Sequence, residues 1–185
     1  MMGSTHAMTG MALATPLAFV APELAPVAAL AGAAGGVFPD LDLLWGVHRR
    51  TLHFPAYYWG AALPAVALAA VLPGMVTVSL AFFLLSAAVH SVSDVLDAGA
   101  SMRPWETPAG DGVYLHPTGR WLPAREVFRY DGSPGDFAVS CILAVPVVVA
   151  FDGSVRALAV VLVVVGGVYA LFRKRIPRSV DRLGE

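Results

Sequence analysis

Charge is scarce in this sequence. Only 14% of its 185 residues are Asp, Glu, Lys or Arg, and 57% are hydrophobic; soluble domains carry about 25% charged residues. Mean hydropathy is +0.70. Such a chain has too little polar surface for a soluble enzyme of its size, and a membrane protein is expected. Cysteine is nearly missing. Cys141 is the only one, it lies within an apolar run, and no disulfide framework can be built from it. An excess of basic residues is missing too: the formal net charge is -1 and no basic stripe appears, so no nucleic-acid partner is expected. No Lys or Arg precedes the first apolar run, so the charged region of a cleavable signal peptide is not found. The length suits one domain, read here as a single integral membrane domain over residues 1–185.

What the chain has in quantity is uncharged sequence. Ala7 to Pro22 and Leu24 to Pro39 carry no charge, and Glu23 between Pro22 and Pro26 separates them. Each is slightly short for a span of about 20 residues. They read as a short helical hairpin, with one long kinked helix as the alternative. Their Ala and Gly content allows close helix contact. Pro39 is expected to end the second helix, because a residue before proline avoids the helical region. Phe54 to Val89 is again uncharged and is divided by Pro73-Gly74, a turn signal. Two spans follow, about Ala56 to Leu72 and Met75 to Asp97. Tyr57, Tyr58 and Trp59 stand where an aromatic belt would place them. Phe137 to Phe151 and Ala157 to Phe172 are joined by Asp152-Gly153-Ser154. They are rich in Val but too long and continuous for ordinary strands.

The expected fold is therefore all-α: a polytopic membrane bundle of about six helices, the first two short. Residues 98–135 form a long polar connection, dense in Pro, Gly and Trp. A loop of that length is usually functional or disordered, and its aromatics and prolines favour an ordered cap. Six helices put the insert at 40–55, the 98–135 loop and both termini on one side. Every Lys and Arg except Arg156 then falls on that side, which the positive-inside rule makes cytoplasmic. The expected location is the plasma (inner) membrane.

Two polar groups interrupt this apolar chain. His90 and Asp94 are spaced i, i+4 and share a helix face, and Asp97 continues the stripe. Carboxylates near a helix C-terminus are disfavoured by the helix dipole and invite a compensating cation; an ordinary polar helix end is the plainer alternative. The other group is Asp40, Asp42, His48, Arg49, Arg50 and His53. Asp40 and Asp42 are one residue apart in an expected non-helical segment, where alternation would aim both the same way. A solvated acidic turn is the alternative. Carboxylate plus imidazole suits Zn, Mn or Fe better than a thiolate site would. His53 is the preferred histidine ligand of the insert, and His48 stands between ligand and interfacial residue. Arg49 and Arg50 present forks suited to oxyanions, or serve topology alone. His6 says little by itself. His116 belongs to the cap loop, and Tyr114, Trp105 and Trp121 read as packing or interfacial anchors.

Taken together, Thr5-His6, Phe38-Pro39-Asp40-Leu41-Asp42, His48-Arg49 through His53, and His90-Ser91-Val92-Ser93-Asp94 with Gly99 and Pro104-Trp105 form an ordered set. The set resembles the YdjM-like family, described as LexA-binding, inner-membrane-associated proteins predicted to be metal-dependent hydrolases. That family carries Thr-His near its start, Pro-Asp-x-Asp after the early helices, a His-Arg-x-x-Thr-His-Ser block and a later His-x-x-x-Asp. The likeness covers about the first 105 residues. In the third block Thr51 is not adjacent to His53, and Phe54 stands where the family has Ser. The resemblance adds His6 to the candidate ligands.

The function expected from these residues is a membrane-bound metal-dependent hydrolase acting on a phosphoester or other ester at the cytoplasmic face. Asp40, Asp42, His53, His90, Asp94 and His6 are the candidate ligands for one or two divalent ions, Zn before Mn or Fe. Asp97 is the candidate general base, and Arg49 would steady a phosphoryl oxygen. Membrane lipids are the expected surroundings and a lipid or phosphoester the expected substrate. Two rivals use the same groups: a metal-stabilised binding or regulatory protein without turnover, and a metal or proton carrier. The carrier needs ionisable groups deep in the spans, and the spans carry none centrally.

Overall fold

A computed structural model describes residues 1–99, 101–106 and 110–177. The chain is mostly helical. Its helices are α1 (Gly3–Leu13), the single turn α2 (Leu17–Val20), α3 (Ala25–Val37), α4 (Tyr57–Val71), α5 (Met75–Ser93), α6 (Pro134–Ala150) and α7 (Gly153–Phe172). Two are long and apolar enough to cross a membrane, Met75–Leu96 and Gly153–Arg175; Tyr57–Val71 and Pro134–Ala150 are apolar but shorter. Arg178 and Arg182, counted in the charge reading, lie outside the described residues.

α1 is the hub. It packs on α3, α5, α6 and α7, and its Ala7, Met8, Met11 and Ala14 are buried with Ala25, Ala28, Ala29 and Ala33 of the α3 region. The partners can approach because the facing residues are small. A Cβ added at Gly10 would run into the Gly32 backbone, and one at Gly36 into the His6 carbonyl. The core is thus built largely of Ala, Gly and Met. The bulky side chains point outward: Val161, Val164, Val165, Val168 and Leu171 on α7, Ile142, Val145 and Val149 on α6, Leu63 and Val71 on α4, all more than half exposed. Small residues inside and large apolar residues outside invert the arrangement of a water-soluble bundle.

The chain between α3 and α4 departs from expectation. Pro39 does not simply end a helix. Phe38 before it stays in the right-handed helical region, with φ -54° and ψ -45°, and the backbone tightens into a 3-10 turn over Phe38–Leu43. Proline fits the start of such a turn because its missing N–H has no helical partner there. At the far end of α5 the helix stops at Ser93, whose hydroxyl bonds back to the His90 carbonyl at 2.9 Å. A second 3-10 turn covers Asp94–Leu96, and Asp97 is extended (φ -88°, ψ 174°). Asp97 therefore does not continue the α5 stripe.

The 98–135 connection holds a β-hairpin, β1 (Asp111–Leu115) antiparallel to β2 (Arg120–Pro123). Gly119 takes the left-handed conformation (φ 64°) that closes its turn. The segment is strapped down by its backbone. Arg125 N–H donates to the Val95 carbonyl (2.6 Å), Phe128 N–H to Leu96 (2.9 Å) and Tyr114 N–H to Arg49 (3.0 Å). The connection is a lid over the ends of α5 and the 40–55 insert. It returns into α6 through Ser133, whose hydroxyl caps the helix at the Asp136 N–H (3.3 Å), with Pro134 in the first turn.

Candidate metal centre

Four side chains from three parts of the chain converge under that lid: Asp40 from the first 3-10 turn, His53 from the insert, His90 from α5 and Asp94 from the turn after it. His53, His90 and Asp94 are buried, and Asp40 is partly exposed. His53 Nε2 lies 3.1 Å from His90 Nε2 and 3.1 Å from Asp94 Oδ2. His90 Nε2 lies 3.5 Å from Asp94 Oδ2 and 3.4 Å from Asp40 Oδ1. Asp40 Oδ1 is 3.8 Å from His53 Nε2. Donors bound at about 2.0–2.2 Å around a tetrahedral ion sit roughly 3.3–3.6 Å from one another. The five separations cluster about that spacing. A buried His/Asp group that could hold a metal ion is present.

The ring orientations bear on the same point. His90 Nδ1 lies 2.6 Å from the Gly36 carbonyl oxygen, which can only accept, so Nδ1 carries the hydrogen. His53 Nδ1 lies 2.9 Å from Asp42 Oδ2, and the same holds there. In the neutral rings both Nε2 atoms are then bare lone pairs. They face each other and a carboxylate with no hydrogen between them, a repulsive arrangement in a buried site unless a cation is shared. Electrostatics run the same way at His53. Burial pushes its pKa down, but the bonds to Asp42 and Asp94 outweigh that and raise it. The site draws positive charge.

Each buried donor has a second partner that fixes it. Asp42 holds His53 from behind; its other oxygen is 2.9 Å from His48 Nδ1, and it accepts the Leu52 N–H at 3.3 Å. Burial pushes the Asp42 carboxyl up, but the bonds from His48 and His53 together overcome this and hold it well below the usual carboxylate range. His6 Nε2 sits 3.0 Å from Asp94 Oδ1, and its ring stacks on that of His90 with centroids 3.6 Å apart. His6 and Asp42 thus touch the four-atom group from outside it. A carboxylate or carbonyl behind a ligating histidine is the usual way its tautomer is set. Asp42, His48 and His53 also form a smaller group close enough for a metal, using the other nitrogen of His53. The alternation argument fails here: in the 3-10 turn, Asp40 and Asp42 take different positions in front of and behind His53.

Arg49 and Asp97 form the floor. Arg49 is buried and stands in the left-handed region at φ 64°, a conformation that is costly for a residue with a Cβ. Its NH2 is 2.8 Å from Asp97 Oδ2, and NH1 reaches the carbonyls of Asp94 (3.3 Å) and Gly112 (3.4 Å). Arg49 Nε is buried without a hydrogen-bond partner. The other Asp97 oxygen accepts the Ala98 N–H at 2.8 Å. Asp97 Oδ2 also accepts from the Met1 ammonium at 3.1 Å, so both of its oxygens are engaged. Arg50 lies outside the group, its guanidinium 4.5 Å above the Tyr114 ring. His116 is also elsewhere, against Phe54 (ring centroids 4.7 Å apart) and Tyr114 (5.0 Å).

Three contributors were not singled out from the sequence. The Gly36 carbonyl is invisible to any side-chain pattern. Asp136, in the first turn of α6, accepts the Met2 and Gly132 amides at 2.7 and 2.9 Å. Arg173 counted only as topological charge, yet it is buried, pairs with Asp131 at 2.8 Å and donates to the Met102 carbonyl at 3.1 Å; Tyr169 bonds to the same carboxylate. The i, i+4 spacing of Tyr169 and Arg173 was the available sign. The chain matches no family model, no curated protein and no solved structure.

Proposed function

We propose that this chain is a multi-pass membrane protein of the inner membrane and a metal-dependent hydrolase. Its site lies at the cytoplasmic face, and its substrate is a phosphoester or related ester. The observation that carries the reading is the meeting of two imidazole Nε2 atoms and two carboxylate oxygens at separations of 3.1–3.8 Å, in a largely buried group. Asp40, His53, His90 and Asp94 would hold one divalent ion. Zn fits a set of two nitrogens and two oxygens, with Mn or Fe as further candidates. Asp42, His6 and the Gly36 carbonyl fix the ligands. A divalent ion held there would supply Lewis acidity, and would lower the pKa of a water that took a fifth position or the place of one of the four donors.

The chain's own residues supply the rest. Arg49 holds positive charge beside the site, its Nε 3.8 Å from Asp94 Oδ2, and its guanidinium would steady a phosphoryl oxygen. Asp97 positions Arg49 through their ion pair and is assigned that role in place of general base. The 110–128 part of the connection is tied by its backbone to Arg49, Val95 and Leu96 beside the site, and burial of His53, His90 and Asp94 strengthens the charge interactions among them. The outward-facing bulky residues and the small-residue core support the membrane placement. The resemblance of the first 105 or so residues to the YdjM-like family supports the metal-hydrolase class.

The test is metal analysis of the purified protein followed by a phosphoester screen that includes lipids. Wild type should retain zinc near one equivalent and hydrolyse at least one ester, with activity removed by chelator and restored by metal. Asp94→Asn should lose activity and remain folded. A metal-loaded wild type that hydrolyses nothing would favour the regulatory reading.

A further inference from the structure

A cavity of about 500 Å³ adjoins the metal group, within the range of roughly 300–1,000 Å³ typical of small-ligand sites. Its inner end is polar: Asp40, Asp94, His48 and Arg49 line it. Its remaining lining is mixed: Ser4, Ser101 and the Asp131, Tyr169 and Arg173 group are polar, and the apolar residues come from separate elements. Val37 and Leu43 come from α3 and the 3-10 turn, Met102 from the lid and Val165 from α7. Leu43, Met102 and Val165 are each more than half exposed. Val165 lies eight residues before Arg173, about 12 Å along the helix at 1.5 Å per residue, on the lipid-length apolar stretch of α7. The mouth is thus continuous with the surface that α7 would present to lipid. Leu44 and Trp45, next in the chain after Leu43, are 75% and 63% exposed.

We propose that this cavity takes a single-chain amphiphile with an anionic head, entering sideways from the bilayer between the Leu43–Trp45 segment and α7. The head would lie at the metal group, beside Arg49, whose positive charge lines that end of the cavity. The chain would lie along Val37, Leu43, Met102 and Val165. A volume in the lower part of the range suits one alkyl chain and a head better than a two-chain lipid. The proposal rests on the hydrolase reading for the fate of the ligand, but not for its binding.

The experiment uses full-length protein in nanodiscs, loaded with zinc, and dodecyl phosphate carrying a photoreactive diazirine at the chain end. Mass spectrometry should place the label on Val165, Met102 or Leu43. Excess unlabelled dodecyl phosphate should suppress labelling, and methyl phosphate should not. Val165→Trp fills the mouth from an exposed position. It should lose the competed labelling and keep its zinc. Two results would overturn the proposal: labelling that no excess of dodecyl phosphate suppresses, which is ordinary lipid contact, or equal competition by methyl phosphate, which is a head-only pocket. Labelling needs no turnover. Competed labelling without hydrolysis of any ester would count against the hydrolase alone. Hydrolysis of soluble esters without competed labelling would count against the amphiphile alone.

Discussion

His90 Nδ1 donates to the Gly36 carbonyl at 2.6 Å, so the orientation of a candidate ligand on α5 is set by the backbone of α3. The same glycine lets α1 approach: a Cβ there would strike the His6 carbonyl. One position therefore aligns His90 and, through the α1–α3 contact, His6. Gly36→Val should weaken zinc binding without touching any candidate ligand, because it must shift one helix against the other. Overpacking of this kind costs about 1–3 kcal/mol. Competition titration of zinc against a chromophoric chelator checks it. Wild-type affinity in a folded Gly36→Val protein would show that the close crossing does not set the site.

Asp42 and His53 give a graded pair. His53→Ala removes a donor of the four-atom group and should abolish stoichiometric zinc. Asp42→Asn keeps the shape behind His53, but loses the charge that holds the imidazole. Loss of such an outer partner typically costs 10–100-fold in metal affinity, and Asp42→Asn is expected in that range. Equal and complete loss in both variants would make Asp42 a ligand in its own right.

Arg49 and Asp97 should behave as a unit. Breaking a buried ion pair from one side leaves an uncompensated charge and costs about 3–5 kcal/mol. Asp97→Asn alone should lower the thermal midpoint in detergent markedly. Replacing both partners with apolar residues, Arg49→Met with Asp97→Leu, should recover part of that stability, since an apolar pair of similar volume is often neutral, while the Met1 ammonium, 3.1 Å from Asp97 Oδ2, keeps only its pairing to Asp94. The double replacement should not recover hydrolysis, because the donor under the site is gone. A stable double variant with full activity would remove Arg49 from the chemistry.

The segments of the fold were legible because uncharged runs and Pro-Gly breaks mark helices directly. α4, α5, α6 and α7 fall where those runs lie. The hairpin in the lid was not legible: Asp111–Leu115 and Arg120–Pro123 are short, and their pairing depends on one left-handed glycine. The His90–Asp94 spacing placed two side chains on one face, and they do meet. Roles around them were less legible. Asp40 and Asp42 look alike in sequence, but a 3-10 turn sends one to the metal group and the other behind His53. Asp97 appeared to extend a helical stripe, whereas α5 ends before it and Arg49 claims it. Such distinctions depend on backbone turns and long-range partners, which carry no periodic trace.

Membrane orientation provides the last prediction. If the 40–55 insert and the lid face the cytoplasm, the α4–α5 turn and the α6–α7 turn face the opposite side. Cys141 is the chain's only cysteine, so Cys141→Ala gives a clean background for labelling. Leu72 and Asp152 lie in those two turns and Arg120 lies in the lid hairpin; all three are exposed. In intact cells a membrane-impermeant maleimide should modify Leu72→Cys and Asp152→Cys, and should reach Arg120→Cys only after permeabilisation. The charge distribution requires this sense, since Arg156 is the lone basic residue on the α6–α7 turn side. Labelling of Arg120→Cys from outside would invert the protein and move the metal group away from the cytoplasm. Labelling of Leu72→Cys and Asp152→Cys from different sides would mean that one of the two helices between them, α5 or the shorter α6, does not cross at all.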